Sequence, residues 1–121
     1  MTPWTCIVYA ECASKANSRK FALVRGKPMF IKAEKALAFE KAAVAMMWLK
    51  RPAAPFDCDL KVTCRIYYPT RRNDLDPSLC WDCLQKAGVI ANDRLLKEQH
   101  IHWGLDPAQP RVEITLEELV A

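Results

Sequence analysis

The chain has 121 residues, 51% of them apolar, and 18 Lys and Arg against 14 Asp and Glu give a formal net charge of +4. That length suits a single domain over residues 1–121 with its own core, and no apolar run approaches the roughly 20 residues that span a bilayer. The opening Met1-Thr2-Pro3-Trp4-Thr5-Cys6 lacks the basic-then-apolar order of an export signal, so a cytoplasmic setting is expected.

In chain order, Trp4–Ala10 is β-branched and aromatic and predicts a strand apolar on both faces. Residues 11–20 are polar and predict a loop. Phe21–Val24 and Met29–Ile31 flank Arg25-Gly26-Lys27-Pro28, a hairpin signal. Residues 33–49 are rich in Ala, Lys, Glu, Leu and Met and predict a long helix. Its apolar stripe is Ala36, Phe39, Ala43, Met46 and Met47, widened by Leu37, Val44 and Trp48, and suits core or a subunit contact. Arg51-Pro52-Ala53-Ala54-Pro55 ends it.

Residues 58–68 alternate, with Cys58, Leu60, Val62, Cys64, Ile66 and Tyr68 on one face, and predict a half-buried strand stopped by Pro69. A second helix is expected over about 77–87, with Asp76 as cap, Pro77 at its first position and Gly88 just past its end. Strands are expected at 95–103 and 111–117. The order β, hairpin, α, β, α, β, β makes a compact α+β domain, a mixed or antiparallel sheet packed with two helices.

Chemistry concentrates in Arg71-Arg72-Asn73-Asp74-Leu75-Asp76, between a strand and a helix. Aspartates at i and i+2 point the same way on extended backbone. Their mutual repulsion is relieved by a divalent cation with a taste for hard oxygen ligands, Mg²⁺ or Mn²⁺. A short helix returning on the strand could bring a third carboxylate, Asp93, close to both. The competing reading makes Asp76 a helix cap, Asp74 the ion-pair partner of Arg71 or Arg72, and Asp93 a turn residue.

As an ordered set, Tyr67-Tyr68-Pro69-Thr70-Arg71-Arg72-Asn73-Asp74-Leu75-Asp76, Asp82-Cys83-Leu84-Gln85-Lys86-Ala87-Gly88-Val89-Ile90 and Asn92-Asp93-Arg94 resemble the RusA family of Holliday-junction endonucleases. Ser14-Lys15-Ala16-Asn17-Ser18-Arg19-Lys20 looks like that family's polar loop, and Arg111-Val112-Glu113-Ile114 like its closing strand. The resemblance implies a homodimer that binds a four-way DNA junction and nicks symmetric strands with Mg²⁺ or Mn²⁺. It also implies that Asp74, Asp76 and Asp93 are metal ligands and catalytic carboxylates. One position departs from the pattern. The family's best-known members carry a Lys four residues after the second Asp, where this chain has Cys80. Lys97, Lys86, Arg72 and Lys20 are the alternatives considered for the missing charge. The second reading is a branched-DNA-binding protein with weakened or lost cleavage.

Basic residues crowd one stretch, Lys15, Arg19, Lys20, Arg25, Lys27, Lys32 and Lys35, as suits a polyanion partner. DNA contacts are expected at Arg71 and Arg72, and at Lys15, Asn17, Arg19 and Lys20. The six cysteines are expected to be reduced packing residues, including Cys80 and Cys83 of the Cys-x-x-Cys string. His100 and His102 are expected on one side of a strand, as a satisfied or solvent-facing pair. Trp81 suits a wedge at a junction centre or a buried dimer contact.

Overall fold

The computed structural model describes residues 1–14 and 19–120; for 19–24 and 28–32 it describes the backbone alone. Six strands and two helices follow the expected order: β1 Trp4–Val8, β2 Arg19–Val24, β3 Lys27–Lys32, α1 Glu34–Leu49, β4 Leu60–Tyr68, α2 Ser78–Lys86, β5 Leu96–Leu105 and β6 Arg111–Glu118. Four strands form a mixed sheet in the order β1-β6-β4-β5, and β2 and β3 pair separately. β4 runs parallel to β5 and antiparallel to β6, which in turn is antiparallel to β1. This is the α+β architecture expected from the periodicities.

One face of the sheet carries the core. Trp4, Cys6 and Val8 of β1, every even residue of β4 from Leu60 to Tyr68, and Val112, Ile114 and Leu116 of β6 are buried. Against them pack Ala36, Phe39, Ala43 and Met47 of α1 and Leu79, Cys80, Cys83 and Leu84 of α2. Each fully buried large aliphatic contributes about 1.5–3 kcal/mol. The period-2 alternation of β4 is thus the direct imprint of a sheet covered on one side only.

Three expectations about packing change. β1 is not apolar on both faces: it is an edge strand, and Ile7 and Tyr9 stay exposed. The α1 stripe is narrower than predicted, because Leu37, Met46 and Trp48 lie on its outer side. Trp81 is buried within the core, so it is not a surface wedge.

Turn chemistry follows the residues. Arg25 (φ 52°) and Gly26 (φ 77°) make the two-residue hairpin turn, whose left-handed pair matches strand twist. Gly88, at φ 78°, ends α2: its N–H donates to the Gln85 carbonyl while that of Val89 reaches Leu84.

The outer face of the sheet bears polar rows. Tyr67 of β4 covers Gly104 of β5, where an added Cβ would meet Tyr67 Cδ1 at 2.7 Å. The Arg111 guanidinium lies 3.9 Å from the same ring. His100 and His102 are both exposed here, with His100 Nε2 3.0 Å from Glu98 Oε2. Among the described residues, no helix is long and apolar enough to cross a membrane.

Candidate functional site

The segment joining β4 to α2 is fixed by aromatic side chains from the sheet. Tyr68, last residue of β4, turns its phenol inward, and its oxygen accepts from the Asp76 N–H at 3.2 Å. Burial raises the Tyr68 pKa to about 12, so the phenol stays protonated. Trp103 of β5 stacks near Tyr68, ring centroids 6.2 Å apart, and its indole N–H donates to the Asn73 carbonyl at 3.0 Å. Thr70 Oγ1 donates to Asn73 Oδ1 at 2.9 Å. Both flanks of Asp74 are therefore tied to the sheet.

Asp76 has two neighbours that orient its carboxylate. Oδ1 accepts from the Ser78 N–H at 3.0 Å; α2 begins at Ser78 with Pro77 at its N-cap, so Asp76 stands one residue before the expected cap position and Pro77 is not the first helical residue. Oδ2 accepts from the Ser14 hydroxyl at 3.1 Å. Ser14 belongs to a strap, Ala10–Ser14, that leaves β1 and crosses in front of the β4–α2 corner. Strap and corner enclose a pocket of about 170 Å³ lined by Cys12, Ala13, Ser14, Lys35, Tyr68, Arg72, Asn73 and Asp74. A carboxylate, two cations, a hydroxyl and a phenol thus border one small polar space.

Asp93 is elsewhere. It opens a single 3₁₀ turn, Asp93–Leu95, and its N–H donates to Gln85 Oε1 at 3.1 Å near the end of α2. β5 starts directly after this turn and pairs in parallel with β4, Leu96 beside Leu60. Asp93 therefore lies where β4 begins, whereas Asp74 and Asp76 follow where β4 ends. A nine-residue strand rises roughly 30 Å, and α2 runs back along it. Within the chain, the structure places Asp93 beside the end of α2 remote from Asp76. Among the described residues, no group of three or more His, Cys, Asp or Glu is placed to hold a metal ion.

Asp74 and Asp76 still fit a hydrated divalent ion. Mg²⁺ keeps several waters and is commonly held by one or two carboxylates with substrate phosphate. Both Asp76 oxygens are carboxylate acceptors with two lone pairs each, the ligand type that Mg²⁺ favours.

The basic residues divide. Arg72 borders the pocket; Arg71 is exposed and does not. None of the ion pairs among the described residues joins either arginine to Asp74, as the competing reading required. Lys15 and Asn17 lie outside the described residues, and Arg19 and Lys20 enter β2, where only backbone is described. Of the lysines weighed for the missing charge, Lys86 pairs with Glu40 on the α1 side, and Lys97 stands in the bulge at the start of β5. Among the described residues, the lysine at the pocket is Lys35, in the first turn of α1, with Nζ 2.5 Å from Glu11 Oε1. Sequence reading counted it only among the basic residues of its stretch, since no spacing links position 35 to position 74.

The cysteines are all free thiols, five of them buried. Cys80 packs inside α2 with its pKa raised well above the ordinary thiol value by hydrogen bonding with Cys12 and Cys64 and by burial. A larger groove of about 570 Å³ lies on the outer side of α1, lined by Leu37, Val44, Ala45 and Trp48 with Glu40, Lys41 and Lys86. It is apolar and holds none of the candidate carboxylates.

Compared with protein-family models and with curated proteins, the chain matches none.

Proposed function

We propose that the chain is a metal-dependent DNA endonuclease that acts on branched DNA such as a four-way junction. The observation that carries this reading is the polar pocket where Asp74 meets Lys35 and Arg72, beside an Asp76 carboxylate oriented from two sides. A nuclease needs carboxylates for the ion and cations for the phosphate in one place, and this corner has both. The resemblance to RusA-type resolvases points to the same segment.

A divalent ion bound at Asp74 and Asp76 would supply charge relief at the phosphate and an acidified water. The protein's own part is positional. Ser14 and the Ser78 N–H hold the Asp76 carboxylate, Tyr68 holds its backbone, and Trp103 holds Asn73. Lys35 and Arg72 would face the non-bridging oxygens of the scissile phosphate, Arg72 with its planar fork and Lys35 as a point charge. For Lys35 this requires release from Glu11, an exchange of one acidic oxygen for another. The exposed Leu37, Met46, Trp48 and Leu49 of α1 are the surface assigned to homodimer formation.

A second reading rests on the separation of Asp93. With two carboxylates at the corner rather than three, the chain would bind branched DNA and cut it poorly or not at all. Cleavage of four-way junction, fork and linear duplex, side by side with Mg²⁺ and with Mn²⁺, separates the readings. The endonuclease reading expects nicked junction that Asp74→Asn abolishes without loss of binding. Junction bound but uncut in Mn²⁺ selects the second reading, and no preference for branched over linear DNA removes both.

A further inference from the structure

Two sulfurs that the proposed hydrolysis does not use meet behind the pocket. Cys12 Sγ, on the strap, lies 3.8 Å from Cys80 Sγ, in α2, though 68 positions separate them in sequence. Cys12 Sγ also lies 3.9 Å from the Asp76 carbonyl oxygen. A disulfide needs the sulfurs at about 2.05 Å, so the pair must close by less than about 2 Å. The strap at Cys12 belongs to no helix or strand, so it can make that movement without breaking a ladder.

Access orders the two thiols. All three thiols are buried, Cys12 at 1% exposure, but Cys12 alone of them lines the pocket, while Cys80 lies behind it in α2 and Cys64 on β4. A small reagent entering the pocket meets Cys12 first and finds Cys80 as its nearest thiol neighbour. Disulfides formed inside a reducing compartment are characteristically transient and redox-sensing.

We propose that Cys12 and Cys80 are an oxidisable dithiol, a site of covalent modification by hydrogen peroxide that bridges the strap to α2. Cys12 sulfur attacks one peroxide oxygen, the O–O bond breaks, and water leaves with the thiol proton to give the sulfenic acid. Cys80 sulfur then attacks Cys12 sulfur, the S–O bond breaks, and a second water carries off the Cys80 proton. One peroxide is reduced to two waters and two thiols become one disulfide. The bridge pins the strap that bears Ser14, and so resets the support of the Asp76 carboxylate. The chemistry stands whether or not the pocket cuts DNA.

The test is treatment of the folded full chain with hydrogen peroxide, then alkylation in denaturant, intact mass and peptide mapping. The expected product is lighter by about 2 Da before alkylation, with Cys12 and Cys80 peptides joined. Of six free thiols, two are consumed and four alkylate, and dithiothreitol restores all of them. Cys64→Ala should keep the bridge and Cys12→Ala should leave Cys80 reduced. The proposal falls if Cys64 bridges Cys80, if Cys12 advances to sulfinic acid without a bridge, or if no thiol reacts before unfolding. Peptide mapping of the unsubstituted chain decides between these even where a variant folds poorly.

Discussion

The two ends of the central sheet are built differently. Where β4 stops, polar groups converge: Asp74, Asp76, Ser14, Lys35 and Arg72 gather around buried aromatic supports whose polar tips reach the backbone. Where β4 starts, backbone pairing and turns close the chain, and the side-chain acceptors Gln85 and Asn92 serve only the turn at Asp93. Phe56 bridges Ile90, Gly88 ends α2, and Asp93 sits exposed in a short turn. The first end spends side-chain hydrogen bonds on orienting a carboxylate; the second uses turn geometry to return the chain. That contrast is why the candidate chemistry is assigned to one end and why Asp93 is left out of it.

The strongest way to break the comparison is the aspartate series. Asp74→Asn and Asp76→Asn should each lower junction cleavage on the order of 10³-fold, the scale of several kcal/mol of charge stabilisation. Asp93→Asn should cost less than about tenfold. Equal losses at all three would mean that the active assembly brings the two ends together, and metal titration of the three variants would then rank them equally.

Lys35 sharpens the assignment of charge. Lys35→Ala should lower cleavage roughly tenfold to a hundredfold and flatten the slope of log binding constant against log salt by about 1. Lys35→Arg should restore most of the slope. Lys86→Ala, at the far end of α2, should leave the slope alone; the reverse pattern would move the phosphate contact away from the pocket.

Tyr68→Phe removes the acceptor of the part-buried Asp76 N–H. A loss of about 1 kcal/mol in chemical denaturation is expected, with a matching fall in kcat as Asp76 loosens. Gly88→Ala at the opposite end meets no close atom but forces a left-handed residue. It should cost about 1 kcal/mol yet leave kcat of the folded protein unchanged. A change in kcat there would couple the two ends.

The smallest effect concerns Asp106, just past β5 at the polar end. The hydrogen bond from Arg111 holds its carboxyl below the ordinary carboxylate value. Because the folded-state pKa is depressed, its stabilisation is present above the unfolded-state value and lost as pH falls through the folded one. The Tm difference between wild type and Asp106→Asn should be slight at neutral pH, given a pair at the surface that is only partly buried, and shrink to nothing in acid. A difference that grew in acid would contradict the pairing.

Much of the fold could be read from period and punctuation. The β4 alternation and Gly88 after α2 are local signals with local causes, and the element order arose as predicted; the bounds moved, with Arg19 and Lys20 of the expected loop in β2 and Lys27 and Pro28 of the expected turn in β3. The site was only half legible. Asp74-Leu75-Asp76 stood out because both residues share one short segment. Ser14, Lys35 and Trp103 come from three other elements, and only the strand order brings them to that corner. Asp93 went the other way for the same reason. A returning helix suggests proximity to Asp76, but the parallel pairing of β4 with β5 starts β5 beside the start of β4, so α2 and the segment after it together carry the chain back before Asp93.

β1 finds its partner only in β6, Trp4 beside Leu116 and Val8 beside Val112. Pairing at such separation is slow, because the loop-closure entropy is spent before any contact rewards it. During synthesis the edge of β1 stays unsatisfied until β6, more than a hundred residues later, has been made. The strap hangs from that strand, so the contacts of Ser14 with Asp76 and of Cys12 with Cys80 depend on the β1–β6 pairing. A substitution that loosens β1 from β6 therefore loosens the corner too, although neither strand borders it.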